Sequence, residues 1–311
     1  MNNQFRSSIK GWVTMSRLPF HIVGIAPFAL GTVLAYKVTG NFNLAVFLLS
    51  VLAVIFIMLS TYYNGEYYDI AEDRLSSEMH KNIFAGGSRA VIKKMLPRKY
   101  ARIGAYISMI FAVIIGFILQ FYYKTGVLTI PLGAIGVFMG FFYSTPPLRW
   151  VTRGIGEVFI GFCYGWLPIA VSYYLQTGEI NNLINWMSIP VGLTIFNVIL
   201  LNEFPDYDTD KISGKRTLLV RIGKGKGSIL YITAAIAVWI MFAVSIVVGL
   251  PVITCLFSIP FFIISIVLVV LIGLKKYLIS KILVIMCGLN ILVNIGVTLS
   301  YLLGVLREGV Y

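Results

Sequence analysis

Charged side chains are scarce in this sequence: Asp, Glu, Lys and Arg supply 12% of its 311 residues, roughly half the share found in soluble domains. Hydrophobic residues supply 59%, and they form long runs instead of alternating with polar residues. Alternation with a period of two is typical of a membrane β-barrel, so its absence excludes that class. Runs of about 20 apolar residues match the thickness that a membrane helix must cross. The sequence therefore predicts an all-α polytopic membrane protein.

Cysteine and histidine are also rare, so two common types of metal-binding and catalytic side chain are nearly absent. Cys163, Cys255 and Cys287 all lie in hydrophobic runs and are too scattered for a zinc site, so we expect them to pack as small apolar residues. The two histidines, His21 and His80, fall near the start of a run and in a loop. An interfacial or loop role is more common than catalysis at such positions. The sequence identifies no general base.

The hydrophobic runs predict nine membrane-spanning helices in a single domain of residues 1–311, divided into two pseudo-repeated halves of about 1–145 and 146–311. The predicted spans cover residues 20–37, 43–63, 100–122, 126–143, 154–175, 186–203, 227–249, 251–274 and 280–304. No small-x-small cleavage site follows the first run, and further spans come after it. We therefore interpret this run as a retained helix rather than a signal peptide.

The distribution of basic residues predicts the orientation of these spans. If the N-terminus lies inside, all of the 25 Lys and Arg except Lys37, Lys124 and Arg307 fall on the cytoplasmic side. This bias follows the positive-inside rule and favours an odd number of spans. We expect a plasma-membrane protein whose N-terminus and acidic segments face the cytoplasm. Topology also accounts for the net charge of +13, so we predict no nucleic-acid partner.

Acidic residues are few but concentrated, because nine of the twelve lie in two short segments. These are Glu66, Asp69, Glu72, Asp73 and Glu78, and then Glu203, Asp206, Asp208 and Asp210. Each segment lies at the end of an even-numbered span and precedes a basic loop that contains glycine. The separation is 137 residues both from Asp69 to Asp206 and from Asp73 to Asp210. This indicates a weak internal duplication, with one copy of the site in each half.

Helical spacing places several of these acids on shared faces. We expect Glu66, Asp69 and Asp73 on one stripe, and Asn202, Asp206 and Asp210 on another. Ionised side chains near hydrocarbon cost roughly 2.5–3.5 kcal/mol each, and Mg²⁺ is the simplest compensation because it binds carboxylate and phosphate oxygens. Two such stripes ringed by Lys and Arg suit a lipid-tailed diphosphate held through metal ions. The alternative is that the acids are solvated loop residues, and we assign Glu72, Glu78 and Asp208 to that role.

Four segments carry a resemblance to a known family. Residues 202–218 (NEFPDYDTDKISGKRTL) are similar to the pattern D-x-x-x-D-x-x-x-G-K-x-T, and residues 65–73 (GEYYDIAED) are similar to N-D-x-x-D-x-x-x-D. Residues 86–89 (GGSR), and 143–149 (YSTPPLR) followed by 153–157 (RGIGE), add further matches. Together these segments resemble the UbiA superfamily of intramembrane prenyltransferases, from the first helix to about residue 226. Gly65 and Glu66 depart from the pattern, since Asn and Asp are usual there.

The resemblance implies a fold of nine transmembrane helices around a central cavity, and a Mg²⁺-dependent site with two ions. Asp69, Asp73, Asp206 and Asp210 would be the catalytic metal-diphosphate ligands, and Glu66 would be a further metal ligand. The diphosphate would contact Lys215, Arg89, Tyr143, Ser144, Arg17, Arg149 and Asn202. The expected partners are a polyprenyl diphosphate, a small aromatic acceptor and membrane lipid, without an obligate protein partner.

The acceptor is less defined than the donor. The run at 214–223 and the 143–149 segment look most like the menaquinone-pathway branch of the family, which implies 1,4-dihydroxy-2-naphthoate. Another quinone-like or phenazine-like carrier, 4-hydroxybenzoate and a glycerol-phosphate ether lipid are the alternatives. Outside the family, a cation-coupled transporter would also carry acids in repeated halves. Its acids are expected near the bilayer midplane, however, whereas these lie at helix ends.

Overall fold

The structure is a computed structural model that describes residues 3–79 and 86–309. Its regular elements are helices, and no strand occurs in either described range. The twelve α-helices are α1 (Asn3–Met15), α2 (His21–Thr39), α3 (Leu44–Tyr68), α4 (Ile70–Met79), α5 (Arg98–Phe117), α6 (Thr129–Phe141), α7 (Gly156–Tyr164), α8 (Trp166–Thr177), α9 (Asn182–Ser213), α10 (Leu218–Val247), α11 (Ile253–Gly273) and α12 (Ser280–Glu308). The predicted all-α class is confirmed.

Eight helical segments of the described chain are long and apolar enough to cross a membrane. The remaining predicted span, residues 126–143, corresponds to α6, whose 13 residues extend only about 20 Å, less than the usual hydrocarbon thickness. The protein is an integral, multi-pass membrane protein, and the predicted nine-helix arrangement is supported with this one shorter member. The membrane orientation and the division into two repeated halves stay predictions.

Glycines bring α7, α8 and α9 into close contact. The predicted span 154–175 consists of two helices that meet at Gly165, and a Cβ there would collide with the backbone of Gly192 on α9. Gly161, one turn earlier, also faces Gly192. Small residues at such a crossing let helix backbones approach closely, as is common between membrane helices. This contact fixes α9 beside the end of α7.

Helix α9 continues for 32 residues although Pro205 lies inside it. Proline has no amide hydrogen, so the carbonyl of Leu201, four residues earlier, loses its helical partner. The buried thiol of Cys287 on α12 donates to that oxygen at 3.9 Å. Such replacement partners are what allow proline inside a membrane helix. The carboxyl end of α9 is therefore an uninterrupted helix up to Ser213.

The α3–α4 segment behaves differently, because the helix breaks at Asp69. This residue has φ −96° and ψ 19° and separates α3 from α4. The amide of Asp69 still donates to Gly65, and the amide of Asp73 donates to Asp69. The predicted stripe is therefore bent rather than carried by one helix: Glu66 lies on α3, Asp69 at the break and Asp73 on α4.

The main core packs α9 against α2, α8, α10 and α12, with Leu34, Tyr173, Met187, Leu201 and Tyr301 fully buried. A second cluster joins α3 to α5. The cysteines are free thiols: Cys287 is buried and Cys163 half-buried, whereas Cys255 lies exposed on α11 rather than packed.

Candidate active site

A cavity of about 750 Å³ lies between these packed groups of helices. Its walls are mostly apolar side chains from α2, α3, α5, α6, α7, α8 and α9. The polar residues at one end are Arg17, Asp69, Asp73, Tyr143, Ser144, Asn202, Glu203, Asp206, Asp210, Lys215 and Thr217. A cavity of this size and polarity suits a ligand with an apolar body and a charged head.

The α9 side of the polar end comes from one helical face, as the spacing predicts. Asn202, Asp206 and Asp210 all line the cavity. Asp210 is 4% exposed, and the Lys215 Nζ lies 3.7 Å from its Oδ1. Lys215 follows directly after Gly214, whose φ of 78° ends α9 in the left-handed conformation that glycine favours. The chain thereby turns back and places the ammonium beside the carboxylate.

The α3–α4 side holds Asp69 from two directions. Ser144 Oγ donates to Asp69 Oδ2 at 2.7 Å, and Arg149 Nη2 donates to Asp69 Oδ1 at 2.7 Å. Arg149 also binds Glu72 at 3.2 Å. Of the predicted diphosphate contacts, Arg149 and Ser144 therefore bind the acids themselves. Tyr143, the neighbour of Ser144, faces the cavity.

The loop after α4 connects the two acidic sides through backbone amides. The amide of Gly86 donates to Asp206 Oδ2 at 2.9 Å, and the amide of Gly87 donates to Asp73 Oδ1 at 2.7 Å. A Cβ on Gly87 would clash with the Asp73 carboxylate, so glycine is required for this approach. Ser76 Oγ on α4 completes the link with a 2.6 Å hydrogen bond to Asp206 Oδ1.

Glu66 points toward this loop. Its Oε1 accepts a hydrogen bond from the amide of Ser88 and lies 4.0 Å from Arg17 Nη2. Arg17 also donates to the carbonyl of Gly86 at 3.4 Å and lines the cavity. Arg89 is half-buried in the same loop with a φ of 63°. His80 and Lys81 lie outside the described residues.

The electrostatics reflect this crowding of charge. Burial, and then the charge of Asp69, raise the pKa of Asp73 to about 7. Burial by itself would lower the pKa of the Lys215 ammonium, but Asp210 and Asp69 outweigh it and raise that pKa above its ordinary value. Burial and the nearby Glu157 raise the pKa of the Tyr143 phenol. The site therefore keeps Lys215 charged and holds Asp73 close to its titration point.

The donor set fits a hard divalent cation. Four aspartates converge on one end of the cavity, and carboxylate oxygens are the ligands that Mg²⁺ prefers. Within residues 3–79 and 86–309, however, no three His, Cys, Asp or Glu side chains stand close enough to hold a metal as they are. Amides, hydroxyls and Arg149 bind the oxygens of Asp69, Asp73 and Asp206, so Mg²⁺ has to replace some of these donors.

Sequence reasoning missed two features of the site. Ser76 lies three residues after Asp73, and this helical spacing was the available signal. Glu157 and Glu203 form the second feature: both bind backbone amides at the start of α10. Glu157 closes the RGIGE segment and Glu203 belongs to the second acidic segment, yet nothing in the sequence shows that they meet.

The fold and this site define a helical membrane protein with an apolar cavity that ends in acids and the half-buried ammonium of Lys215. The model of the UbiA prenyltransferase family matches residues 24–299. The chain therefore belongs to the UbiA prenyltransferase family, and it is a prenyltransferase.

Relatives and solved structures agree with this assignment. The chain is 28% identical over 222 residues to a 1,4-dihydroxy-2-naphthoate octaprenyltransferase of Bacillus subtilis, covering 71% of this chain and 68% of the relative. A structure of digeranylgeranylglyceryl phosphate synthase superposes with a TM-score of 0.66 at 15% identity, covering 96% and 99% of the two chains. A UbiA homologue of Archaeoglobus fulgidus bound to DMAPP and Mg²⁺ has a TM-score of 0.56 at 16% identity, covering 92% and 98%. The predicted fold is confirmed.

Proposed function

We propose that this protein transfers a prenyl group from a polyprenyl diphosphate to 1,4-dihydroxy-2-naphthoate. One observation carries the proposal: the paired acidic segments, 137 residues apart in sequence, meet with Lys215 at the polar end of a single apolar cavity. A prenyl diphosphate has the matching shape, with a charged head for the acids and an apolar tail for the walls.

Asp69, Asp73, Asp206 and Asp210 would hold Mg²⁺, and we propose two ions because the four acids come in two pairs. When bound, Mg²⁺ supplies Lewis-acid stabilisation of the departing diphosphate. The charged Lys215 stabilises the same negative charge. Arg17, which lines the cavity beside Glu66, would add a further positive charge at this end. Tyr143 lies next to these groups and contributes a hydroxyl rather than a charge.

The B. subtilis relative supports the naphthoate acceptor, because its name specifies that substrate and the match covers most of both chains. Another quinone-like or phenazine-like carrier stays the next candidate. Gly65 and Glu66 are the departures that bear on this choice. Glu66 faces the loop at Ser88 rather than the cavity, so its extra methylene changes how the loop is held more than how the acceptor is recognised.

We also propose that the polar end of the cavity faces the cytoplasm of the plasma membrane. The basic residues on the loops near that end support this orientation through the positive-inside rule. Water-soluble acceptor and Mg²⁺ would then reach the site directly, while the prenyl tail would enter from the lipid.

The test is a reconstituted reaction. Purified protein with Mg²⁺, labelled geranyl diphosphate and 1,4-dihydroxy-2-naphthoate should release diphosphate and give a prenylated product identified by mass. A screen of other acceptors ranks them by kcat/KM. Asp69→Ala and Asp206→Ala should each reduce turnover more than about 100-fold, and the exposed Asp208→Asn on the same helix is the control. If both alanine variants keep their activity, the metal-diphosphate site is refuted.

A further inference from the structure

Glu203 and Glu157 are two neighbouring carboxyl groups at the cavity to which the proposed function gives no role. Glu203 lies three residues before Asp206 on α9, about 4.5 Å deeper along the helix, and it lines the cavity. Glu157 stands at the start of α7 and is 2% exposed. Asp206 would face the diphosphate, so Glu203 lies on the side of the cavity where the allylic carbon and the aromatic acceptor must meet.

The amino end of α10 holds both carboxyl groups in place. The amide of Leu218 donates to Glu157 Oε1 at 2.8 Å, and the amide of Leu219 donates to Glu203 Oε2 at 3.2 Å. The Thr217 hydroxyl caps the same helix by accepting from Val220. The first amides of a helix have no partner within it and carry partial positive charge. They therefore orient the pair and stabilise a negative charge on it.

The remaining oxygens of the pair require a shared proton. Glu157 Oε2 is buried and has no donor among the described groups, while the Glu203 carboxyl lies within hydrogen-bonding reach of Glu157. Two carboxylates offer only acceptors, so a hydrogen bond between them needs one proton. Two full charges so close together would also repel. The pair thus holds one proton and one negative charge, with Lys215 and Tyr143 as its charged and polar neighbours.

Among the described residues, the other candidates for a proton acceptor either lie outside the cavity or are proposed metal ligands. His21 is not a cavity-lining residue, its Nε2 lies 2.9 Å from the carbonyl of Ser16, and its Nδ1 is buried without a partner. The other acids that line the cavity are the four aspartates proposed to bind metal. Glu203 is the cavity-lining carboxyl that is held by a backbone amide and belongs to neither aspartate pair.

We propose that Glu203 is the catalytic base that takes the ring-hydroxyl proton of the aromatic acceptor, and that Glu157 is a positioning residue for it. This inference rests on the proposed function. The acceptor's ring carbon bonds to the allylic carbon, and the carbon–oxygen bond to diphosphate breaks with its electron pair leaving on diphosphate. The hydroxyl oxygen becomes a carbonyl as its proton passes to Glu203.

The ring is then restored without any added reagent. The group that the attacked carbon carried leaves, as CO₂ from a carboxylate or as a proton to diphosphate. Its bonding electrons return to the ring, and the oxygen takes the proton back from Glu203. The pair gains a second proton in the first step and loses it in the second, so the site ends as it began.

The decisive variant is Glu203→Gln, which preserves shape but cannot take a proton. We expect Mg²⁺-dependent binding of geranyl diphosphate within about twofold of wild type, and a kcat for 1,4-dihydroxy-2-naphthoate lower by about 10²–10⁴-fold. Glu203→Asp, which keeps the acid, should recover at least about tenfold over the glutamine variant. Asp208→Asn is the matched control, because it removes an exposed acid from the same helix and should leave both values unchanged.

A second measurement separates proton transfer from a structural role. Across a series of naphthols with increasingly acidic hydroxyls, the deficit of Glu203→Gln should shrink, because an acidic hydroxyl needs less help to lose its proton. A deficit that stays constant across the series, a kcat within threefold of wild type, or an equal loss of geranyl diphosphate binding would each overturn the base assignment. Wild-type protein that uses no acceptor would overturn the proposed function itself.

Discussion

The two acidic sides of the site are built in different ways. On α9, an unbroken helix presents Asp206 and Asp210, and the charge of Asp210 is balanced by Lys215 at 3.7 Å. On the α3–α4 side, the helix breaks at Asp69, and the acids are held by hydroxyls, Arg149 and the amides of a glycine loop. Each side thus has one cation, Lys215 or Arg149, and Asp206 on α9 also accepts from Ser76 and the Gly86 amide. The two sides differ in backbone: an unbroken helix carries the first pair of aspartates, and a broken helix with a glycine loop holds the second.

The largest effect should come from the charge partner of the α9 side. Lys215→Met leaves Asp210 buried beside no cation, which for a buried pair costs about 3–5 kcal/mol, and it removes a charge from the departing diphosphate. We expect kcat/KM to fall at least about 100-fold, together with a lower thermal unfolding temperature in detergent.

The matched control for that variant is Lys224→Met. Lys224 pairs with the exposed Asp208 at 3.1 Å, and exposed pairs contribute about 0–1 kcal/mol. Equal effects of the two lysine substitutions would contradict the distinction between a buried and an exposed pair.

The next effect concerns the loop of the α3–α4 side. Gly87→Ala forces the loop away from Asp73, because the added methyl group clashes with that carboxylate. We expect kcat/KM to fall about tenfold, since the loss resembles a misplacement of binding groups. Gly225→Ala adds the same methyl group in open space on α10 and should be silent. Wild-type activity of the Gly87 variant would show that the loop need not approach the acids.

Substitutions of two serines compare the two acidic sides directly, with a smaller expected effect. Ser144→Ala removes a hydrogen bond to Asp69, and Ser76→Ala removes one to Asp206. Each bond to a charged group is worth about 1.5–3 kcal/mol, and Mg²⁺ has to displace that donor to reach the carboxylate oxygen. We therefore expect a decrease of about fivefold in the Mg²⁺ concentration needed for half-maximal activity, by titration at fixed geranyl diphosphate. An increase instead would mean that the hydroxyl orients the carboxylate for the metal rather than competing with it.

The smallest effect is a pH dependence that comes from Asp73. Its pKa of about 7 in the folded protein lies above its unfolded value of about 4. The neutral form is thus favoured by folding, and this stability is present below pH 4 and lost as the pH rises through 7. Metal-free protein should melt a few degrees lower at pH 8 than at pH 6, and Asp73→Asn should flatten this slope. A steeper slope in the variant would contradict the assignment.

The sequence predicted the α9 side better than the α3–α4 side for a physical reason. Helical periodicity places Asn202, Asp206 and Asp210 on one face wherever the helix is continuous, and α9 is continuous. The same rule does not predict the break at Asp69, a residue that contacts Ser144 and Arg149 far along the chain. Hydrogen bonds from loop amides leave no side-chain signature at all, so the contacts of Gly86 and Gly87 had no predictor beyond the glycines themselves.

The class of the protein was predictable because it depends on features spread along the whole chain. Hydrophobic runs are recognised by their length, and the 137-residue repeat of the acidic residues is found by counting. The meeting of Glu157 and Glu203 needed the packing of α7 on α9, which no local pattern encodes. The amides of α10 then align the two groups, and that helix begins at Leu218, 15 residues after Glu203 along the chain.

The close crossing of α7 and α9 at Gly161 and Gly192 couples the packing of the two helices to the position of the glutamate pair. Gly192 lies 11 residues before Glu203 on α9, about 16 Å along the axis, while Gly161 lies one turn after Glu157 on α7. The size of the residue at that crossing therefore sets the distance between the carboxyl groups of Glu157 and Glu203. A methyl group added at position 192 would push α7 and α9 apart where they cross. The carboxyl groups of Glu157 and Glu203 would then separate, although they must stay close enough to share one proton.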